Sequence, residues 1–249
     1  MANAIEAIQL TKKYGEKTAV NALNLSVAEG ELFALLGVNG AGKTTTIKML
    51  AGLALPSGGD ALLLGDSILQ NPQRAKEHNG ISPQETAVAR NLSVLENLAL
   101  MARVYGASAA DAGEKATRIM EVLGLTETAK AKAKTLSGGM QRRLSIGMAL
   151  ISDPKILFLD EPTLGLDVIA RRELWNVLRK LKGKVTIILT THYLEEVEAL
   201  SDRVGVMARG NLVAVGTVQE LMQKTGAKSF EDAFIALATE SDAEQGAIA

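Results

Sequence analysis

The sequence predicts an α/β fold in which a mostly parallel sheet is covered by helices on its faces. Three short apolar runs, at residues 32–36, 156–159 and 185–189, are typical of strands that are buried on both sides. Segments with apolar residues at helical spacing lie between these runs, and strands that alternate with helices favour a parallel sheet. The chain has 249 residues, of which 47% are hydrophobic, so it can bury a sizeable core.

The amino-terminal part of this fold is predicted to consist of several short strands over residues 5–36. Residues 12–15 form a polar stretch, Lys-Lys-Tyr-Gly, that is typical of a turn. The run at 32–36 breaks at Gly37, and the chain becomes helical after Gly42. A strand after this turn is predicted from near-alternating apolar residues, which are Val20, Leu23, Leu25 and Val27.

Two further regions are predicted to be helical from their apolar spacing. The first is the helix-rich stretch 85–152, in which one helix precedes Gly124. The second region lies between the strands at 156 and 185 and carries an apolar stripe of Leu174, Val177, Leu178 and Leu181.

The last ten residues, from Glu240, are small and polar and are predicted to fray.

Composition excludes several classes of function. There are 27 basic and 28 acidic residues, so the net charge of −1 argues against bulk electrostatic attraction to nucleic acid or lipid. The sequence has no cysteine, which excludes disulfides and thiolate metal sites. No stretch approaches the roughly 20 apolar residues that span a bilayer, and the amino terminus lacks the features of a signal peptide. We therefore expect no membrane span in this chain.

Residues 37–44 read Gly-Val-Asn-Gly-Ala-Gly-Lys-Thr and match the phosphate-binding pattern GxxxxGK[ST] between a strand and a helix. The glycines let backbone N–H groups surround an anion at a helix N-terminus, whereas a mere glycine-rich turn would leave the lysine solvated. Lys43 is expected to bridge the β- and γ-phosphates and Thr44 to hold Mg²⁺. The predicted nucleotide-binding loop is Gly37, Val38, Asn39, Gly40, Ala41, Gly42, Lys43, Thr44 and Thr45.

Two adjacent acids follow the strand at 156–159. Burying both Asp160 and Glu161 is costly unless a cation is near, which predicts Asp160 as a metal ligand. Glu161 is expected to point the other way, free to take a proton from water. His192 follows the third buried strand, at the edge where ligands bind in such sheets, and is predicted to contact the γ-phosphate. His78 is expected to be solvated in a polar loop.

The stretch from Leu136 to Gln141, Leu-Ser-Gly-Gly-Met-Gln, resembles the signature of ATP-binding-cassette (ABC) transporter ATPases and lies upstream of the acidic pair, as in that family. The resemblance covers the chain up to about residue 225. It implies a P-loop NTPase with an N-terminal antiparallel β subdomain and a helical subdomain inserted at about 85–152. Residues 1–225 would form the ATPase domain and 226–249 a helical or frayed tail.

The resemblance also implies roles for single residues. Gln84 resembles the glutamine that contacts Mg²⁺ and the attacking water, which makes it a catalytic residue and a metal ligand. Tyr14 resembles the aromatic residue that stacks on adenine, and an aromatic ring in this turn could equally pack locally. Asp167 resembles the acid of the loop after Glu161, and His192 resembles the switch histidine.

The signature predicts a second anion-binding helix start. Ser137 is expected to cap the helix, and Gly138 and Gly139 leave its first N–H groups uncovered, although an ordinary capped helix would look the same. The chain has one phosphate loop, so a head-to-tail pair of chains that shares two ATP molecules is expected, as the resemblance implies. The residues assigned to ATP of the other chain are Ser137, Gly138, Gly139 and Gln141.

The predicted function is an ATPase that dimerises, or pairs with another ABC subunit, and powers a separate integral membrane permease, most resembling the exporter branch. Such a subunit would lie on the cytoplasmic face of the membrane, and the permease would be engaged through residues 84–103. The alternative is a soluble ABC-type ATPase that acts on a ribosome or DNA. No direct nucleic-acid partner is expected, because the basic side chains near the signature are predicted to form a solvated face: Lys130, Lys132, Lys134, Arg142 and Arg143.

Overall fold

The computed structural model describes residues 2–246, with side chains up to Thr239. Its elements alternate between strands and helices, as the sequence predicted. In chain order they are β1 (Asn3–Tyr14), β2 (Lys17–Ala28), β3 (Leu32–Leu36), α1 (Lys43–Leu50), β4 (Gly58–Leu63), β5 (Asp66–Ser67), α2 (Pro72–Glu77), β6 (Asn79–Ser82), α3 (Val94–Val104), α4 (Ala109–Leu123), α5 (Gly138–Leu150), β7 (Ile156–Asp160), α6 (Val168–Leu181), β8 (Thr186–Thr191), α7 (Leu194–Leu200), β9 (Arg203–Ala208), β10 (Asn211–Gly216), α8 (Val218–Thr225) and α9 (Phe230–Gly246).

The expected N-terminal antiparallel sheet is present, with the strand order β2-β1-β4-β5. The prediction of several short strands was wrong, because β1 and β2 are single strands of 12 residues each. Shifts in their register near Gln9 and Ala22, both with positive φ, bend the strands without ending them. The polar stretch at 12–14 belongs to β1, and the chain reverses only at Gly15.

The second sheet has six strands in the order β10-β9-β3-β8-β7-β6, and only β10 runs antiparallel. The strands predicted at 32–36 and 156–159 are confirmed as β3 and β7. The third predicted run, 185–189, is displaced, since β8 extends from Thr186 to Thr191. As a result, β3, β7 and β8 deliver Gly37, Glu161 and His192 to the same edge of the sheet.

Alternate residues of β3 face two separate cores. Leu32 and Leu36 face the larger core, which includes the stripe predicted on α6, and Phe33 and Leu35 face a core shared with β1, β2 and α1. All of these side chains are buried. Since each face of the sheet is covered, the phosphate-binding loop between β3 and α1 is fixed at both ends by packed elements.

The helix-rich region predicted at 85–152 is confirmed by α3, α4 and α5, which join the larger core. Ser93 and Glu96 form a capping box at the start of α3, where each side chain accepts a hydrogen bond from the other residue's backbone N–H. Gly124 ends α4 in the left-handed conformation, with a φ of 63°. These signals define helix ends, and two short 3₁₀ turns lie between α4 and α5.

The predicted boundary at residue 225 coincides with the end of α8. Beyond it, Phe230, Ala233 and Leu237 of α9 are buried in the larger core. The helix continues to Gly246, so the fraying predicted from Glu240 is not seen up to that point, and residues 247–249 lie outside the described residues. Within residues 2–246, no helix is long and apolar enough to cross a membrane.

Candidate functional site

The loop between β3 and α1 wraps closely because two of its glycines have no room for a side chain. A Cβ on Gly37 would lie 2.4 Å from Met207 O, and one on Gly42 would lie 2.5 Å from Ala19 O. Gly42 also has a φ of 106°, which other residues rarely adopt. The loop therefore leads directly into α1 at Lys43, with the helix N-terminus exposed to a ligand in the loop.

Lys43 is held inside this loop. Its side chain is 5% exposed, and Nζ donates hydrogen bonds to Gly37 O at 2.7 Å and Val38 O at 3.2 Å. Nζ also lies 3.3 Å from Glu161 Oε1. A buried ammonium group needs such partners, and oxygen atoms supply all three of these contacts.

Asp160, at the end of β7, joins two strands and the phosphate-binding loop. Its Oδ1 accepts hydrogen bonds from Thr44 Oγ1 at 2.9 Å and from Thr190 Oγ1 at 2.6 Å. Asp160 and Thr190 are direct neighbours in the parallel pairing of β7 and β8. Thr190 has no role in the sequence-based prediction, and its only signal there is its place at a strand end beside the predicted histidine.

Glu161 is held in an unusual conformation. Its φ is 48°, in the left-handed region that non-glycine residues rarely adopt, and its backbone N–H donates to Thr190 O and Thr190 Oγ1. The carboxylate is buried between Lys43 and His192, whose Nδ1 lies 2.6 Å from Glu161 Oε2. The carboxylate is thus paired on both sides, as a buried charge requires, and its expected role of accepting a proton from water stays a prediction.

The two histidines differ in their surroundings. The ring of His192 lies with its centroid 4.1 Å from that of Tyr193, and Arg171 covers the other ring at 5.0 Å. His78 was predicted to be solvated, which was wrong, since its Nε2 lies 2.8 Å from Asp66 Oδ2. His78 is the C-cap of α2 and does not line the cleft at the phosphate-binding loop, whereas His192 does.

The predicted residues meet around one cleft of about 440 Å³. Tyr14, which is 53% exposed, borders it, and Lys12 Nζ lies 5.0 Å from the centroid of that ring. Gln84 follows β6 and reaches the same cleft. The remaining lining residues that were predicted from the sequence are Asn39, Gly40, Ala41, Gly42, Lys43, Thr44, Thr45, Glu161 and His192.

Arg142 fixes the segment that carries Gln84. Its guanidinium is buried and donates to Pro83 O at 2.7 Å and to Gln84 O. Burial lowers the pKa of Arg142, which the Asp160 carboxylate opposes. The prediction that Arg142 and Arg143 are solvated was therefore wrong, since Arg143 also pairs with Glu173 at 3.1 Å. Lys130, Lys132 and Lys134 are exposed, as expected.

The signature residues lie apart from this cleft. Ser137 caps α5, as predicted, and its Oγ accepts a hydrogen bond from Met140 N at 3.3 Å. Asp167 caps α6 and accepts from Ile169 N and Ala170 N, each at 2.9 Å. Both caps are exposed.

The two glycines of the signature differ in the space around them. Gly138 has open space where a side chain would be, with the nearest atom 3.9 Å away. A Cβ on Gly139 would lie 2.7 Å from that of Ala170, because α5 and α6 approach closely there. Gln141 Nε2 donates to Leu136 O at 3.0 Å, within the same chain.

Comparison with known proteins identifies the family of this chain. The family model described as ABC transporter matches residues 20–164, which include the phosphate-binding loop, the signature and both acids. The chain therefore belongs to the ABC transporter family and is an ATP-binding subunit with ATPase activity. Its P-loop fold is the one that this family's ATP-binding subunits share.

Particular relatives extend this finding. The chain is 41% identical to a linearmycin resistance ATP-binding protein of Bacillus subtilis (strain 168) over 89% of its length and 72% of the relative's. It is 44% identical to the Nod factor export ATP-binding protein I of Paraburkholderia xenovorans (strain LB400) over 88% of this chain and 72% of that protein. A solved ATP-binding subunit of an ABC transporter superposes with a TM-score of 0.82 at 28% identity, covering 94% of this chain and 99% of that one.

Proposed function

We propose that this ATPase uses Mg²⁺ and a dimer of cassettes to drive an export permease encoded separately. The observation that carries the proposal is the junction of Lys43, Glu161 and His192 at the carboxyl edge of the sheet. One buried carboxylate there contacts both the cation of the phosphate loop and a histidine. The names of the relatives, which include resistance and export proteins, support the direction of transport.

The residues fit a magnesium nucleotide. Thr44 and Asp160 place a hydroxyl and a carboxylate in direct contact, and Gln84 adds an amide at the same cleft. Such oxygen donors are the ligands that Mg²⁺ prefers, and the ion would neutralise charge on the phosphates. Lys43 would exchange its carbonyl partners for phosphate oxygens. Tyr14, at the open side of the cleft, is suited to stack on the base.

Glu161 is the proposed general base. Its left-handed backbone and its two side-chain contacts fix the carboxylate at the cleft, where it can accept a proton from the attacking water. His192 and Lys43 hold that carboxylate from opposite sides. When Lys43 contacts phosphate instead, it no longer pairs with Glu161. The carboxylate oxygen that Lys43 leaves can then accept the proton of the attacking water.

The exposed signature supports a shared site. Ser137 and Asp167 make only helix-cap contacts in the described chain, and exposed apolar residues lie beside Asp167. Val168 is 61% exposed and Ile169 is 72% exposed. A helix start with open space at Gly138 can bind an anion. We therefore place the signature of one chain against the ATP of a second chain.

Light scattering with a hydrolysis-deficient Glu161→Gln variant tests this arrangement. ATP and Mg²⁺ should convert it from monomer to dimer, and adding Ser137→Arg should block the conversion, because the larger side chain fills the anion-binding position. Ser108 caps α4 in the same way and is the matched control, so Ser108→Arg should still dimerise. Dimerisation that persists with Ser137→Arg contradicts the shared site.

A second cleft, of about 850 Å³, fits the proposed permease contact. It lies between α2, α4 and the end of α3, where Tyr105 is 57% exposed and Val104 is 68% exposed. Acidic and basic side chains are among its lining residues, so an amphipathic helix of a permease could bind there. This cleft overlaps the predicted region 84–103 at Ala102, and the proposed contact would keep the subunit on the cytoplasmic face of the membrane.

If a membrane protein is encoded beside this gene, its co-purification with the ATPase tests this contact. Tyr105→Arg should reduce recovery of the permease, whereas Ile235→Arg, which alters an exposed apolar residue on α9, should not. If the neighbouring gene encodes no membrane protein and the ATPase is instead stimulated by ribosomes or DNA, the alternative function replaces this one. No described feature favours that alternative.

A further inference from the structure

Glu196 is a buried acidic residue that the proposed mechanism does not use. It lies in α7, four residues after His192, and its exposure is 0%. Three segments of the ATPase site surround it. They are the end of β8 at Thr191, the loop after Glu161 at Thr163, and α6 at Trp175.

The contacts of Glu196 are incomplete. Its Oε1 accepts a hydrogen bond from Trp175 Nε1 at 3.1 Å, but its Oε2 has no hydrogen-bond partner in the described structure. Thr163 Oγ1 is likewise buried without a partner, although it lies near enough to lower the carboxyl pKa. Burial raises the pKa of Glu196 more strongly than Thr191, Trp175 and Thr163 lower it, and Glu161 raises it further.

We propose that Glu196 is a positioning residue of the ATPase site, which holds the Thr163 loop and the Thr191–His192 segment against α6. The three segments carry Glu161, His192 and Asp167. The carboxyl group is hydrogen-bonded to Trp175 and lies beside Thr163 and Thr191, so its position links the spacing of the three segments. The inference rests on the proposed roles of Glu161 and His192, and it adds a residue that touches neither nucleotide nor water.

The free-energy cost of burying the Glu196 carboxyl group supports this role. A buried carboxyl with one oxygen unpaired destabilises the fold, and an apolar residue of similar size would avoid that cost. Trp175 takes part in the same contact, because its partly buried ring packs against the larger core while its N–H donates to Glu196. A tryptophan donor and a carboxyl that are hydrogen-bonded beside Thr191 fix a geometry that a purely apolar core would leave adjustable.

Steady-state ATPase kinetics of the full chain provide the first test. Glu196→Ala should lower kcat by about tenfold to hundredfold, as small displacements of catalytic groups do, and leave KM for ATP within about twofold. Glu196→Gln keeps the acceptor for Trp175 and should recover most of the lost kcat. Glu31 is the matched control, because it is a buried acid at the opposite end of β3, and Glu31→Ala should leave kcat unchanged.

The composition allows a second measurement that needs no turnover. Trp175 is the single tryptophan, and the chain has two histidines. In NMR spectra Glu196→Ala should shift the indole N–H signal and the ring signals of His192, while those of His78 stay in place. Glu31→Ala should shift neither the indole nor the His192 signals.

Three results would separate the possible errors. If the wild-type chain hydrolyses no ATP, the proposed function fails, independently of Glu196. If wild type is active and Glu196→Ala keeps full kcat, the positioning role is overturned. If both Glu196→Ala and Glu31→Ala lose activity in proportion to their folded fraction, with unchanged His192 signals, then Glu196 serves stability alone and the inference is also overturned.

Discussion

The two ends of the proposed ATP site differ in how fully one chain completes them. At the carboxyl edge of the sheet, Lys43, Asp160 and Glu161 are buried and each contacts another residue of the site. At the signature, Ser137 and Asp167 are exposed, and their side chains contact the backbone of their own helices. The first end is completed by contacts within one chain, whereas the second presents exposed helix starts.

This difference indicates which end supplies chemistry and which supplies control. Groups that stabilise developing charge act best when they are fixed in advance, as those around Glu161 are. A helix start that only caps itself gains partners when a ligand and a second chain arrive. The arrangement would make hydrolysis depend on closure of two chains, because neither end of the site is sufficient alone.

The largest expected effect comes from the organised end. Glu161→Gln removes the proposed base and should reduce kcat by about 10²- to 10⁴-fold while ATP binding persists. Release of phosphate and binding of a fluorescent ATP analogue measure the two properties separately. Glu121→Gln, an exposed position on α4, is the control and should behave as wild type. Hydrolysis at the normal rate in Glu161→Gln would mean that another group activates water.

Removing the cation of the phosphate loop is expected to have the next largest effect. Lys43→Ala deletes a buried charge that also pairs with Glu161, so ATP affinity should fall by about 30-fold or more. Titration calorimetry measures the change. Lys48→Ala, on the same helix but exposed, should bind ATP with unchanged affinity. Equal losses in both variants would point to α1 as a whole rather than to Lys43.

Arg142 links the two ends, and its replacement should have a smaller effect. Arg142→Leu removes the hydrogen bonds to Pro83 O and Gln84 O, so Gln84 is no longer held at the cleft. We expect kcat to fall by about tenfold, with little change in KM, since the affected group orients rather than binds. Arg143→Leu alters the next residue of α5 and its pair with Glu173 without touching this loop. An equal loss of kcat in both variants would contradict a specific role for Arg142.

Local patterns explain which parts could be predicted from the sequence. The apolar runs of β3 and β7 and the glycine–lysine pattern after β3 are each contained in a few consecutive residues. Helix starts at Ser137 and at Gly42 were likewise visible as local signals. For these features burial and backbone geometry follow directly from neighbouring residues.

Contacts between distant residues could not be predicted in the same way. Thr190 meets Asp160 only because β7 and β8 pair in a particular register, and Arg142 meets Gln84 only because α5 lies beside the end of β6. The charge pattern near the signature therefore suggested solvent exposure for Arg142, whereas the fold buries it. The same applies to Glu161, whose partners come from two other elements of the chain.

The smallest expected effect concerns the stability of the organised end as pH changes. The pKa of Glu196 is raised in the folded chain by burial and by Glu161, so folding favours its protonated form. Well below about pH 4 both folded and unfolded chains carry the proton, and the ionisation of Glu196 adds no cost to folding. As the pH rises, the unfolded chain releases its proton first, and stability is lost until the pH has passed the folded pKa. Glu196→Gln cannot ionise, so its melting temperature should exceed that of wild type at pH 7 and approach it at pH 4, which calorimetry can measure. A difference that is independent of pH would show that Glu196 is not protonated preferentially on folding.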